Sequence, residues 1–294
     1  MYARMLREGE IRAGDAITVL PPAPGSRAVD ESLLYRLDKA ERKSSVAAWK
    51  AAQDAGFDID FLEEGDLAMS ASPEIPGPAF NHASGLVERP NLLSMVTDYF
   101  DAHGTTGWLS MDEAPWTGAQ PELVLDMFGA SPADVAVAPP PVGVVIRRLE
   151  PEEAGIFTSV RSGSTTAGGV TDGGPNPWPQ VYTQLGQTRS RHLFIVEIDG
   201  EPVANASLHV SGRTGWMRGA LVAPEARGRG IQRALISARA QAAAEAGCDL
   251  VGASAEAGEI SAGNLEQSGL RRVGSRSHYV YEPGSFRPSG AGQG

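Results

Sequence analysis

The residues with the clearest chemical potential form the segment Arg227-Gly228-Arg229-Gly230, which lies between a strand-like stretch and a helix-like one. Because glycine has no Cβ, it allows backbone N–H groups to approach a ligand closely. The first turn of a helix adds unpaired N–H groups and the positive end of the helix dipole. Two arginines place positive charge at the same point. The pattern predicts a binding site for a diphosphate group, although a tight structural turn would also explain a G-x-G sequence by itself.

The sequence on either side of this segment favours the binding site over a simple turn. Residues 231–246 are rich in alanine and other helix-forming residues, and Gly247 after them is a typical helix-ending residue. Apolar runs and alternations predict strands at residues 193–198, 202–210, 216–222 and 248–253. Asp199-Gly200 between the first two predicts a hairpin turn. A strand therefore leads directly into the Arg/Gly segment and a long helix follows it.

From residue 193 to residue 281 this order of elements resembles the GNAT superfamily of acyl-CoA-dependent N-acyltransferases. The family's loop has the form Arg/Gln-x-x-Gly-x-Gly/Ala, in which Arg227 and Gly230 match and Gln232 replaces the last small residue. The resemblance implies an α/β (α+β) fold, with a mixed, mostly antiparallel sheet flanked by helices. It also implies acetyl-CoA, a CoA thioester, as the cofactor.

The resemblance assigns cofactor contacts to residues on both sides of the loop. Leu221 and Val222 would hold the pantetheine arm through their backbone. The pyrophosphate would be wrapped by Arg227, Gly228, Arg229, Gly230, Ile231 and Gln232. A later segment, residues 261–271, is similar to the family's second cofactor motif, and places Asn264 near the pantetheine or the ribose.

The same motif departs from the family at one position. Many members carry a tyrosine that protonates the leaving thiolate, and this chain has Leu265 there, which cannot donate a proton. Either another group acts as the acid, or the thiolate leaves unassisted. A thiol with a pKa near 8.5 is a fair leaving group, so the second route is chemically acceptable.

A general base for the acceptor amine is harder to identify. The predicted strand at residues 216–222 has no carboxylate, although relatives often carry one there. Glu256 is the first candidate, His209 the second, and Tyr279 a third as base or acid. A surface glutamate, a solvated histidine at a strand end and a half-buried strand tyrosine are the structural alternatives.

The N-terminal half, residues 30–137, is interpreted as a degenerate GNAT-like domain without an Arg/Gly loop. It predicts helices at residues 30–56, 91–102 and 122–128 and a strand at residues 108–111. The motif F-N-x-x-x-G-L at residues 80–86 resembles the inactive first halves of tandem GNAT proteins. Asn81 and His82 in this motif are candidate contacts to the acceptor.

The remaining segments complete the predicted organisation. Residues 1–29 are a hairpin-like extension, residues 138–143 a proline-rich linker, residues 144–284 the catalytic GNAT domain, and residues 285–294 a disordered tail. The long Gly/Pro-rich loop at residues 162–180 is expected to act as a lid over the acceptor, with Trp178 contacting the substrate.

Composition limits the classes of partner. The chain has 36 acidic and 25 basic residues in 294, a net charge of −11, which argues against nucleic acid as a partner. An acidic protein with a basic cofactor site favours a small cationic amine as acceptor. Cys248 is the single cysteine, which excludes an internal disulfide and a cysteine-based metal site. No apolar run is long enough to cross a bilayer, so we expect a cytoplasmic monomer or homodimer without a membrane partner.

The sequence thus predicts an N-acetyltransferase that transfers an acetyl or short acyl group from acetyl-CoA to a small-molecule amine by direct attack in a ternary complex. Two alternatives remain. One is a non-catalytic acyl-CoA-binding or regulatory protein of the same fold, and the other is an acyltransferase that uses a carrier-protein thioester. The acceptor is set by pocket shape and cannot be read from these motifs.

Overall fold

The computed structural model describes residues 31–114, 116, 119–160 and 176–285. The predicted N-terminal extension, residues 162–175 of the predicted lid, and the tail after residue 285 lie outside the described residues.

The described residues form a mixed α/β structure. The helices are α1 (Glu31–Asp54), α2 (Leu93–His103), α3 (Trp178–Gly186), α4 (Ile231–Glu245) and α5 (Ile260–Gln267). The strands are β1 (Asp60–Glu64), β2 (Leu67–Ala71), β3 (His82–Ser84), β4 (Gly107–Met111), β5 (Leu123–Ala130), β6 (Val144–Arg148), β7 (Arg191–Ile198), β8 (Glu201–Ser211), β9 (Thr214–Val222), β10 (Leu250–Glu256) and β11 (Arg271–Tyr281). Short 3₁₀ helices lie at Pro90–Leu92, Pro132–Asp134, Pro151–Ser159 and Pro224–Ala226. Within these described ranges, no helix is both long and apolar enough to cross a membrane.

Most of the predicted elements are confirmed, and one is wrong. The stretch predicted as a helix at residues 122–128 is strand β5. A short apolar run fits either a helix or a buried strand, so periodicity alone cannot separate the two. The distinction comes from pairing with β10 on one side and β11 on the other, which are contributed by residues more than a hundred positions away.

One eleven-stranded sheet runs through both halves of the chain, in the order β1-β2-β3-β4-β11-β5-β10-β9-β8-β7-β6. Its pairs are antiparallel except β3–β4 and β9–β10, so the predicted mixed, mostly antiparallel sheet is confirmed. The halves exchange strands in this order. Strand β11 of the C-terminal half lies between β4 and β5, and β5 of the N-terminal half lies between β10 and β11. The proline-rich segment at residues 138–143 therefore links two halves of a single sheet.

This exchange makes each half dependent on the other. We expect residues 1–137 and residues 138–294, produced separately, to lack a cooperative unfolding transition, because each would lose the partner strand that its sheet requires. Produced together, they should associate and regain the transition. Circular dichroism during urea unfolding tests this, and cooperative unfolding of either fragment alone would contradict it.

The helices cover the two faces of the sheet. Helix α1 crosses the centre of one face, where Leu37 packs with Met127, Trp216 and Leu250 in a common cluster. Helix α4 covers the other face, and Leu235 and Ile236 are fully buried there. On this face, helix α1 of the N-terminal half therefore also covers strands of the C-terminal half.

Candidate functional site

The central feature of the site is a gap between two parallel strands. Strands β9 and β10 pair at only three positions, Thr214–Leu250, Gly215–Val251 and Trp216–Gly252. Each strand then continues, β9 to Val222 and β10 to Glu256, and each pairs only with its outer neighbour. A V-shaped opening therefore lies between residues 217–222 and residues 253–256, and the backbone of β9 faces it without a partner strand.

A β-bulge lies on the β9 side of this opening. The register of β8 and β9 changes between Asn205 and Ser207, so Gly219 and Ala220 have no direct partner on β8. Gly219 has φ 61°, and a Cβ there would lie 2.8 Å from the Tyr182 hydroxyl oxygen. Bulges re-aim a strand, and this one brings the hydroxyl of Tyr182 against the backbone at the opening.

The Arg/Gly loop, residues 227–230, continues from the open end of β9 to helix α4. Gly228 and Gly230 have φ values of 75° and 81°, which disfavour any residue with a Cβ. A Cβ at either position would meet no atom within 4 Å, so the requirement for glycine is conformational and the loop faces open space. Gly230 is the N-cap of α4, and no side chain caps the first turn. The N–H groups of that turn are free to bind an anion.

The side chains around the loop also favour the binding of an anion. Arg227 and Arg229 are exposed, and Arg227 Nε donates a hydrogen bond to the Val222 carbonyl oxygen at 3.2 Å. Ile231 is buried and fixes the first turn of α4 in the core, while Gln232 is only partly buried. The open strand end, the two cations and the uncapped helix N-terminus therefore form one continuous surface.

Helix α5 lies against both α4 and β10. Asn264 on this helix is partly buried. Leu265 next to it is 5% exposed and belongs to the core cluster beneath α4. The position at which relatives carry a tyrosine is thus an apolar packing position in this chain, and it provides no proton donor.

The proposed catalytic side chains do not come together at one point. Glu256 is exposed at the last position of β10, on the far edge of the opening. His209 is buried on β8, where it lies opposite Arg191 of β7 and Trp216 of β9. Burial, with further contributions from Arg191 and Arg218, lowers the pKa of His209 to about 3. At neutral pH this imidazole is therefore uncharged and a weak base.

Tyr279 lies apart from the opening. It is 6% exposed on β11 and packs edge-on against Trp116, with ring centroids 6.0 Å apart. Strand β5 separates β11 from β10, so Tyr279 is two strands away from the edge of the opening, roughly 10 Å. Its surroundings are those of a core residue of the N-terminal half.

The two proposed acceptor contacts, Trp178 and Asn81, are both buried. Trp178 packs against Phe80 and Tyr182, with centroid distances of 5.2 Å and 5.4 Å. Asn81 is fully buried, and its amide makes four hydrogen bonds, accepting from Ser72 N and Thr105 Oγ1 and donating to the carbonyl oxygens of Ile75 and Gly77. This leaves Asn81 no hydrogen-bonding capacity for an acceptor, and its role in the structure is to hold the loop before β3.

Three residues that were not predicted from the sequence lie on the α1 side of the opening. Arg218 follows Trp216 on β9, and its Nη1 donates to Ser45 Oγ of α1 at 2.9 Å. Glu41 lies one helical turn before Ser45, and Tyr182 of α3 lies at the bulge. A signal for Glu41 existed in the sequence, because it interrupts the apolar stripe of α1 between Leu37 and Ala48.

Comparison with known proteins agrees with this geometry. Residues 168–265 match the sequence profile of the acetyltransferase (GNAT) family, a range that spans the opening, the Arg/Gly loop and α4. No curated protein matches the chain significantly by sequence.

Solved structures match over most of the chain. A GCN5-related N-acetyltransferase from Kribbella flavida has a TM-score of 0.52 at 16% identity, covering 83% of this chain and 95% of its own. A tandem GNAT protein from the clavulanic acid biosynthesis pathway has a TM-score of 0.54 at 13% identity, covering 88% and 97%. A GCN5-related N-acetyltransferase from Sphaerobacter thermophilus has a TM-score of 0.52 at 14% identity, covering 85% and 91%. At these identities the similarity establishes the fold alone. The chain therefore has the GNAT fold, and residues 168–265 resemble the acetyltransferase (GNAT) family in sequence.

Proposed function

We propose that this protein is an N-acetyltransferase that transfers an acetyl or short acyl group from acetyl-CoA to the amine of a small molecule. The observation that carries the proposal is the continuous path from the open edge of β9, through the Arg/Gly loop, to the uncapped N-terminus of α4. A simple strand-to-helix turn would not need exposed arginines, two left-handed glycines and an unpaired strand at the same place.

The residues present fit an acyl-CoA. The N–H groups of residues 228–232 and the dipole of α4 are suited to a diphosphate, and Arg227 and Arg229 add charge beside them. The edge of β9 at Leu221 and Val222 has no partner strand on the side of the opening, and it is suited to the amide groups of a pantetheine arm, in the manner of an added strand. Asn264 is a further proposed contact, on α5, which packs against α4 and β10. A bound acetyl-CoA supplies a thioester, whose carbonyl carbon is the electrophile for the amine.

The contribution of the protein is mainly positional. Holding an amine beside a thioester gives effective molarities on the order of 10⁵ M or more. An unpaired N–H of β9 near Leu221 and Val222 would stabilise negative charge on the carbonyl oxygen. Since Leu265 cannot donate a proton, the departing thiolate takes its proton from the ammonium formed in the reaction.

The acceptor enters from the α1 side, opposite the Arg/Gly loop. The bulge of β9, the hydroxyl of Tyr182 and the side chain of Arg218 line this side of the opening. A small amine is proposed as the acceptor, and the net charge of −11 favours a cationic one. A cytoplasmic location stays a prediction.

Calorimetric titration with acetyl-CoA and with acetyl-pantetheine tests the donor. The second compound keeps the thioester but lacks the diphosphate and the nucleotide. We expect acetyl-CoA to bind roughly 100-fold more tightly, a difference of about 2.7 kcal/mol, because only it uses the loop and α4. Equal affinities would favour a carrier-bound donor, and absence of binding by either compound would overturn the proposal.

A further inference from the structure

The strand that borders the opening carries no carboxylate, but helix α1 brings one to the same side. Glu41 and Ser45 are four residues apart on α1 and therefore share a face of the helix. Ser45 accepts a hydrogen bond from Arg218, the second residue after the last paired position of β9. Glu41 thus lies one helical turn from the contact between α1 and the edge of the opening.

The Glu41 carboxylate lines a small polar cavity. The cavity has a volume of about 20 Å³, and Ser45, His82, Ser84 and Arg276 also line it. This volume holds roughly one water molecule or one ammonium group. Among the described residues, His82 Nε2 and Ser84 Oγ are buried without a hydrogen-bond partner. The cavity therefore has polar atoms ready for a small polar guest.

Glu41 differs from its charged neighbours in having no direct partner. Asp38 forms an ion pair with Arg276, and Arg42 forms one with Asp66 at 3.4 Å. Within the part of the chain that the structure describes, Glu41 makes neither a hydrogen bond nor an ion pair. Burial, and after it Asp38, raise the pKa of Glu41 to about 7, against the lowering effects of Arg218, Arg276 and Arg42. A carboxylate held in this range suits proton transfer near neutral pH.

We propose that Glu41, supplied by the N-terminal half, accepts the proton of the acceptor's ammonium group, directly or through one water in this cavity. The inference rests on the proposed function and deepens it. The ammonium gives one proton to the carboxylate and becomes an amine with a free electron pair. That pair forms the C–N bond as the C–S bond breaks, the second proton on nitrogen passes to the leaving sulfur, and Glu41 returns its proton to solvent.

Other charged groups around Glu41 do not replace it. Asp38 is neutralised by Arg276, and Glu88, across the cavity, lies 4.0 Å from Arg42. His82 and His278 stack with ring centroids 5.4 Å apart, and burial lowers their pKa values to about 3 and about 4. Both rings are therefore neutral at the pH where Glu41 ionises. Burial raises the pKa of Asp38 to about 6, but Arg276 pairs with it, so Glu41 is the carboxyl group without an ion-pair partner among these groups.

Steady-state thiol release tests the proposal. Acetyl-CoA is combined with n-butylamine, spermidine or phenethylamine from pH 5.5 to pH 9, using the wild-type chain, Glu41→Gln and Glu41→Asp. Asp54→Asn, at the exposed end of the same helix, is the matched control. We expect Glu41→Gln to lower kcat/KM at least 100-fold and to remove the rise of kcat/KM near pH 7. Glu41→Asp should keep that rise at a lower rate, and the control should match the wild type.

The outcomes distinguish the role of Glu41 from the proposed acetyltransferase function. Glu41→Gln should bind acetyl-CoA as tightly as the wild type, which shows that the cofactor site and the fold are intact. An active wild type with an unchanged rate and pH profile in Glu41→Gln would overturn the role of Glu41 and leave the proposed function standing. Loss of acetyl-CoA binding in Glu41→Gln would also overturn it, because the effect would then be structural. A wild type that releases no thiol with any of the three amines would overturn both claims.

Discussion

Gly230→Glu is expected to weaken acetyl-CoA binding at least 100-fold, which corresponds to about 2.7 kcal/mol or more. Gly230 is the N-cap of α4, so a glutamate there places a bulky carboxylate where the diphosphate would bind. It repels the ligand and competes for the N–H groups of the first turn. Calorimetric titration of the folded variant gives the affinity directly.

Gly247→Glu is the matched control at the opposite end of the same helix. Gly230 and Gly247 have φ values of 81° and 79°, and a Cβ at either position meets no atom within 4 Å. The two substitutions therefore impose similar backbone strain and the same change in charge. Unchanged affinity in Gly247→Glu with lost affinity in Gly230→Glu would place the diphosphate at the loop. Equal affinities in the two variants would contradict this placement.

Acid is expected to unfold the protein steeply below about pH 5. Three of its five histidines are buried and His82 is partly buried, and desolvation lowers the pKa to about 3 for His82 and His209 and to about 4 for His192 and His278. Each pKa is lower in the folded chain than the unfolded value near 6.5, so the unfolded chain binds more protons below that pH. Stability is therefore lost as pH falls from 6.5 toward 4, by about 2 kcal/mol for each histidine at pH 5.

Two carboxyl groups, the buried Asp38 and the partly buried Glu41, act in the opposite direction over part of this range. Burial raises the pKa of Glu41 to about 7 and of Asp38 to about 6, so their protonation in the folded chain adds stability as pH falls from about 7 toward 4. This gain offsets roughly half of the loss from the histidines between pH 7 and pH 5, and roughly two fifths of it between pH 5 and pH 4. As pH falls, the free energy of unfolding therefore decreases gently down to about pH 5 and more steeply below it.

Urea unfolding at pH 7.5, 6, 5 and 4 measures this dependence. His192→Gln, on β7 away from the opening, should reduce the net loss of unfolding free energy between pH 6 and pH 4 by roughly two fifths, because the two carboxyl groups already offset part of the histidine term. Arg148 and Glu245 face His192, and neither is changed in that variant. An unfolding midpoint that stays constant between pH 6.5 and pH 4 would contradict the account of the buried histidines.

The parts of the site that could be predicted from sequence are those fixed by local patterns. The Arg/Gly loop, the Asp199-Gly200 hairpin and helix α4 each depend on residues within about twenty positions, so spacing and turn chemistry identify them. The family resemblance then predicts the cofactor surface at the open end of β9. The Gly230→Glu prediction tests whether acetyl-CoA binds at this surface.

The parts that could not be predicted depend on contacts between distant segments. The local sequence of β5 wrongly predicted a helix. The place of β5 between β10 and β11 is set by residues far along the chain. Glu41 lies 177 positions before Arg218, and nothing in either local sequence indicates that α1 crosses above β9. Asn81 was predicted as an acceptor contact because it is a polar residue in a motif. Its four hydrogen bonds show that it is used within the fold.

The central claim, transfer of an acyl group from acetyl-CoA to an amine, is tested most directly by following thiol release from acetyl-CoA with and without n-butylamine, spermidine or phenethylamine. Mass spectrometry of the same mixtures detects the acetylated amine. We expect thiol release that requires an amine, matches the acetylated product in amount and is lost in Gly230→Glu. Tight acetyl-CoA binding without amine-dependent release would contradict the claim and indicate a non-catalytic acyl-CoA-binding protein.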